Sequence, residues 1–410
     1  MRIGMISQWY EPETGSAAHP TAIARALHER GHDLRVLTGF PSYPLGRVYD
    51  GHRMRPRATE VRDGISLLRV PDVPSHDRSA VRRMVSLGSF AGSATTQVGW
   101  LRRVDVCLVY LTPATVGMAA MTLRRVWGVP YVLYVQDLWP ETVTASGFIG
   151  GSRTTDTVER ALHAWLARLY RGAAGIAAIA PTMAATLSGR GSQVTPVSIP
   201  NWVDEDVFVP SAPLDPSPLD GAERWVMYAG SIGDVQGLDT AVRAMRQLDD
   251  LPDLGLAFVG DGVAVPGLRA LAAELGVAER VAFLGSHPLS DMPPLMANAD
   301  AQLVSLRDLP LFRGTIPSKL QATMACGLPV VCAVAGDAAE VVRQARCGFV
   351  ARPDDPTSLA GALRAVAAAQ PAELRAMGAR GREAYAGQMS RAVGAERLEQ
   401  LLVTAAGSRR

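Results

Sequence analysis

The chain has 410 residues, 48% of them apolar, and a formal net charge of +2. That is enough apolar surface to bury a large core, and a chain of this length is expected to divide into two domains. Its arginines are scattered over strands, loops and helices with no aromatic-interleaved basic segment, which argues against nucleic acid as a partner.

Taken in order, the segment "MRIGMISQWYEPETG" lacks the apolar core of a signal peptide and reads as a first strand entering a turn, so no export is expected. Short apolar runs then alternate with helical patterns: "LRVLT", "ISLLRV", "DVCLVY", "YVLYV" and "GIAAIA" follow the opening "RIGMI". The stretch "SHDRSAVRRMVSLGSFAGSATTQVGWLRRV" sets arginines at both ends of an apolar middle. An ordinary helix of the first domain is the expected reading, and a helix lying on a membrane is the alternative. "GAAGIAAIAPTMAATLSG" is a long charge-free stretch, but its small and hydroxyl residues and Pro181 make it unsuited to spanning a bilayer. A proline-rich, acidic, aperiodic passage, "SIPNWVDEDVFVPSAPLDPSPLDGAERW", then marks a linker.

The rhythm restarts after it with "WVMYAG", "GLAFVG", "RVAFLG", "AQLVSL" and "PVVCAV", and the chain closes on three helical patterns. Strands alternating with helices imply parallel sheets covered on both faces, so the expected class is α/β with two doubly wound, Rossmann-like domains facing a cleft. Expected boundaries are residues 1–203 for the first domain, 204–388 for the second, and 389–410 for a terminal helix packing back on the first. The four cysteines, Cys107, Cys326, Cys332 and Cys347, show neither metal-ligand spacing nor a disulfide framework, which fits a reduced, cytoplasmic compartment. Residues 1–200 hold 22 Arg against 14 Asp and Glu, whereas the rest holds 19 basic against 25 acidic residues. A basic first half suits an anionic acceptor or peripheral contact with the inner face of a membrane, a solvated arginine surface being the other reading.

Lysine occurs once in the chain, at Lys319 in "LFRGTIPSKLQATMACGLPVV". Ser318 reads as an N-cap and Gly327 with Pro329 as the stop, which puts Lys319 in a first helical turn. The positive end of the helix dipole disfavours a cation there unless something negative binds nearby. Glycine-bearing turns follow several strands: "EPETGSAA" with Gly15 and Ser16, "YAGSIG" with Gly230, Ser231 and Gly233, and "VGDG" with Gly260, Asp261 and Gly262. Their amides can approach phosphate oxygens with no Cβ in the way.

Together with "VQDLWPET", "IPNWVDEDVF", "YAGSIGDVQGLDTAVRAM", "FLGSHP", "IPSKLQATMACGLPVV" and "GFVARPDDPTSLAGAL", these segments follow a known order and spacing. The chain resembles the GT-B glycosyltransferases of family 4, in particular the branch that builds bacterial surface polysaccharides. The resemblance implies sugar transfer from a nucleotide donor with retention of anomeric configuration and without a bound metal or other cofactor. A UDP-sugar is the leading donor, with GDP- and dTDP-sugars open, and the acceptor is a sugar, a lipid-linked molecule or a small molecule. It also implies that Lys319 and Arg313 meet the charge growing on the leaving phosphate. Gly15, Ser16, His19, Glu141, Gly230, Ser231, Gly233, Gly260, Asp261, Gly262, Leu284, Thr315, Ile316, Pro317 and Ser318 are then the expected substrate-binding residues. Asp137, just after "YVLYV", is the candidate to take the acceptor's proton or to orient the acceptor, with a turn aspartate as the competing reading.

The chain departs from the family pattern in two places. Ser231 and Gln236 stand where diphosphate-binding Arg and Lys are frequent, and Gly314 and Ala322 stand where a pair of glutamates is frequent. The competing functions are a nucleotide-sugar epimerase of the same fold and a non-catalytic nucleotide-sugar-binding subunit.

Overall fold

The computed structural model describes residues 1–75, 80–141 and 153–408. It divides into two compact units, residues 1–199 with 394–410 and residues 200–393. The chain therefore passes from one to the other twice. The terminal stretch beyond 393 belongs with the first unit, where Glu399 of the helix Arg391–Gly407 accepts from Arg30 Nε (2.6 Å) and meets His32 Nε2 (2.8 Å).

The first unit is built on an eight-stranded sheet in the order β3-β4-β2-β1-β5-β6-β7-β8. Its strands are β1 (Arg2–Ile6), β2 (Asp33–Gly39), β3 (Ala58–Arg62), β4 (Ile65–Val70), β5 (Val106–Leu111), β6 (Tyr131–Val135), β7 (Gly175–Ala178) and β8 (Val197–Ser198). All neighbours are parallel except β3 and β4. Every residue of β5 and β6 is buried, as the continuous apolar runs require of strands covered on both faces. β3 differs: it alternates half-buried and exposed residues at the sheet edge. Arg69 on β4 is 1% exposed, and its guanidinium binds Glu60 of β3 while donating to the Gly39 and Glu11 carbonyls.

The second unit carries six parallel strands in the order β11-β10-β9-β12-β13-β14. They are β9 (Arg224–Ala229), β10 (Leu254–Val259), β11 (Val281–Gly285), β12 (Ala301–Ser305), β13 (Val330–Ala333) and β14 (Gly348–Val350). Consecutive strands run outward from β9 on one side and from β12 on the other, so the order reverses between those two. In such sheets the crevice beyond the carboxyl ends at the reversal is where ligands bind. The first unit has the same reversal between β1 and β5. This is the α/β class with two Rossmann-like sheets that the strand rhythm predicts. The basic, apolar-centred stretch forms the helix Ala80–Gln97; its residues 76–79 lie outside the described residues, as does Thr142 at the end of "VQDLWPET".

Candidate active site

In the second unit the turns after β9 and β10 interlock. The Gly230 amide donates to the Val259 carbonyl (2.8 Å), Ile232 N to Asp261 O (2.9 Å) and Gly260 N to Gly285 O (2.7 Å). A Cβ on Gly260 would lie 2.0 Å from the Gly230 carbonyl oxygen, and one on Gly262 2.1 Å from that of Ile232, so neither position admits a side chain. Asp261 Oδ1 accepts from Gly262 N (2.7 Å). Leu284 sits at the end of β11, just before the Gly285 carbonyl that receives Gly260.

Lys319 reaches this turn from the helix Ser318–Ala325. Gly230 has φ +134°, and a Cβ built there would be 2.4 Å from Lys319 Cε and 2.9 Å from Nζ, so the lysine tip rests in the space that the glycine leaves. Nζ lies 5.2 Å from the ring centroid of Tyr228, a fully buried residue of β9 whose hydroxyl donates to Ser231 O (2.6 Å). Among the described residues the ammonium has no hydrogen bond and no ion pair. Burial lowers its pKa below the usual lysine value. No acidic residue stands in the first turn of its helix to offset it. Lys319 thus sets a partly desolvated cation without an anion beside glycine turns at a strand-order reversal, an arrangement able to receive an anionic group.

Several expected residues fall elsewhere. The N-cap is Pro317, not Ser318, which is the exposed first helical residue; a proline fixes the extended backbone that a capping side chain would otherwise hold. Thr315 and Ile316 lead into it. Arg313 is paired with Asp308 (3.0 Å) with its side chain 54% exposed, so its charge is already met on the surface. Gln236, where the family pattern has a lysine, accepts from Gly233 N (3.0 Å) and closes that turn, while Ser231 is exposed. Gly314 and Ala322 are buried and offer no carboxylate. Arg307, just past β12, escaped sequence reading. It binds Asp239 (2.5 Å), Asp354 (2.9 Å) and the Asp234 carbonyl (3.2 Å), and so ties the turn after β9 to the loops after β12 and β14. Its position at the reversal was the signal that could have found it.

In the first unit, Asp137 follows β6 and accepts a hydrogen bond from the Thr112 hydroxyl at the end of β5. Burial raises its pKa and the Thr112 bond offsets part of that rise, which makes the carboxylate a stronger base than an exposed aspartate. His19 does not present a charge to a phosphate. It opens the helix His19–Glu29 with its ring nitrogens closed off from solvent and its ring 5.9 Å from Tyr110 and 6.2 Å from Tyr134, and desolvation lowers its pKa to about 3. Glu141 is tied to Arg190, whose guanidinium also donates to the Trp139 carbonyl (2.8 Å), so it braces the loop after β6. Gly15 has φ +67° and opens the turn Gly15–Ala18 that contains Ser16. No cluster of three or more metal-ligating side chains occurs among the described residues.

Comparison with known proteins bears on the fold and the family. Residues 14–202 match the model of the glycosyl transferase 4-like domain, and residues 223–369 match that of glycosyl transferases group 1. The probable glycosyltransferase WbjE of Pseudomonas aeruginosa is 29% identical over 63% of this chain and 65% of its own length. The putative colanic acid biosynthesis glycosyl transferase WcaI of Escherichia coli (strain K12) is 26% identical over 78% of this chain and 79% of its own. Among solved structures, sucrose-phosphate synthase from Thermosynechococcus elongatus superposes with a TM-score of 0.70 at 19% identity, covering 98% of each chain. Anabaena HepE in complex with UDP and glucose gives 0.69 at 18% identity, over 98% of this chain and 100% of that one. The chain belongs to the GT-B glycosyltransferases of the family 4 type, one of the two matched domains lying in each unit.

Proposed function

We propose that the protein moves a sugar from a nucleoside-diphosphate donor, UDP-sugars first and GDP- or dTDP-sugars next, to a hydroxyl of a sugar, lipid-linked or small-molecule acceptor. Transfer retains the anomeric configuration, uses no metal, and serves polysaccharide or glycoconjugate synthesis in the cytoplasm. The observation that carries this reading is the anion-less Lys319 ammonium seated against Gly230 and Tyr228. The description of WcaI as a colanic acid enzyme and the UDP held by Anabaena HepE are consistent with it. The arginine excess of residues 1–200 suits peripheral contact with an anionic membrane face, and no helix among the described residues is long and apolar enough to cross one.

In the reaction the bond from the anomeric carbon to the diphosphate breaks, and its electron pair stays on the β-phosphate oxygen. Lys319 faces that growing charge and stabilises it more than the ground state. The acceptor oxygen bonds to the anomeric carbon on the face that the diphosphate leaves, as retention in a single displacement requires, and its proton passes to Asp137, whose raised pKa suits it to receive one. The test is incubation with UDP-, GDP- and dTDP-sugars and a panel of acceptors, read by mass spectrometry and by NMR of the new anomeric centre. A glycosylated product with the donor's configuration supports the reading. An epimerised donor, or binding without turnover across the panel, overturns it.

A further inference from the structure

The first unit holds a second polar site, at the carboxyl ends of β1, β2 and β4. Gln8 follows β1 and is 4% exposed; Asp72 follows β4 and is 5% exposed. Gln8 Nε2 donates to Asp72 Oδ2 (3.3 Å), yet Gln8 Oε1 and Asp72 Oδ1 are both buried and accept no hydrogen bond. A buried acceptor left unmet costs roughly 1–3 kcal/mol, so with Asp72 ionised, above the pH of about 7 to which burial raises its pKa, the pair takes its missing donors from outside the chain.

The neighbouring groups cannot supply them. Glu13, also buried, has both oxygens engaged, by the amides of Ser42 (2.8 Å), Tyr43 (2.8 Å) and Tyr10 (3.0 Å). Its role is to fasten the loop after β2 to the loop after β1. Gly39, at the end of β2, lacks a positive φ; a Cβ there would lie 2.8 Å from the Gln8 carbonyl oxygen and 3.4 Å from Asp72 Oδ2, so the close approach of the β1 and β2 ends beside the carboxylate requires a glycine. The same two loops carry Trp9 and Tyr43, half-buried, with ring centroids 5.7 Å apart. The loops after β1, β2 and β4 thus bring partly exposed aromatic faces and buried hydrogen-bond acceptors to the same end of the sheet. A pyranose ring matches that combination, apolar on its C–H face and rich in hydroxyl donors at its edge.

We propose that Gln8 and Asp72 read the hydroxyls of the acceptor's pyranose, with Trp9 and Tyr43 packing against its ring. This rests on the glycosyltransferase reading for the word acceptor, but the sugar binding can be measured without turnover. The experiment is saturation-transfer NMR on the full chain with the methyl glycosides of glucose, galactose and mannose as probes, alongside a UDP titration of the same samples. At least one methyl pyranoside should bind the wild type. Its affinity should fall about tenfold in Asp72→Asn and in Gln8→Met, the loss of one hydrogen bond to a buried charged or amide group. Trp9→Leu should weaken it as well, and UDP affinity should be unchanged in all three. No pyranoside contact with the wild type, or equal affinity in the variants, overturns the subsite. Pyranoside binding in the absence of any nucleotide binding leaves the subsite standing and overturns the donor reading instead.

Discussion

Gly230→Ala tests whether the glycine exists to seat Lys319. The new Cβ would stand 2.4 Å from Lys319 Cε, where carbon atoms normally keep about 3.5–4.0 Å, so the lysine tip must move by more than an ångström. The obstructing atoms belong to the end of a flexible side chain, so the chain gives way and the fold survives. The φ of +134° adds backbone strain for an alanine, about 1–3 kcal/mol. That corresponds to a melting temperature lower by about 3–9 °C in a unit of this size. Displacing the ammonium from the leaving phosphate should cost about 3 kcal/mol in the barrier, or roughly a hundredfold in kcat. The assay is steady-state release of nucleoside diphosphate by wild type, Gly230→Ala, Lys319→Ala and the double variant, each melted in parallel. If Gly230 acts through Lys319, adding Gly230→Ala to Lys319→Ala costs little further activity. Two independent, multiplicative losses would refute the coupling.

Asp72 makes stability depend on pH. Burial raises its pKa from 3.8 to about 7, so between those values the folded chain holds a proton that the unfolded chain has released. Stability is then fully present below the unfolded value and falls as pH rises to 7, by up to about 4 kcal/mol; Asp72→Asn should flatten the melting temperature across that window, and an unchanged slope would contradict the burial argument. Asp137→Asn should reduce transfer while leaving nucleotide affinity intact, because the residue lies in the first unit; lost nucleotide binding by calorimetry would count against the role given to it. With Ala322 where a carboxylate is frequent, UDP and dUDP should bind alike, since discrimination against a missing hydroxyl comes from a partner left unpaired. A preference for UDP of a hundredfold or more, about 2.7 kcal/mol, would show that another group reads that hydroxyl.

The buried strands were legible in the sequence because they are continuous apolar runs: "YVLYV" and "ISLLRV" coincide with β6 and β4 to the residue. The strands that escaped are those without that signal, the half-exposed edge strand β3, the two-residue β8 and the three-residue β14. At the site, Lys319 could be singled out by composition and by its conflict with the helix dipole. Its seat could not, because Tyr228 and Gly230 are brought to it by strand order and not by spacing. Gln8 and Asp72 were illegible for the same reason: they are 64 positions apart in the chain, and only the pairing of β1 with β2 and of β2 with β4 brings them together. Arg313 and His19 show what sequence leaves out about a side chain's surroundings: the first pairs with Asp308 on the surface, and burial lowers the second's pKa to about 3.

The central claim is that Lys319 awaits the diphosphate of a nucleotide. Isothermal titration of UDP into the wild type and into Lys319→Met, repeated in buffers of different ionisation enthalpy at alkaline pH, tests it directly. A phosphate beside the half-buried ammonium raises the pKa that desolvation has lowered, so wild-type binding should take up protons and Lys319→Met should bind at least tenfold more weakly without that uptake. Equal affinity and equal proton exchange in the two proteins would contradict the account.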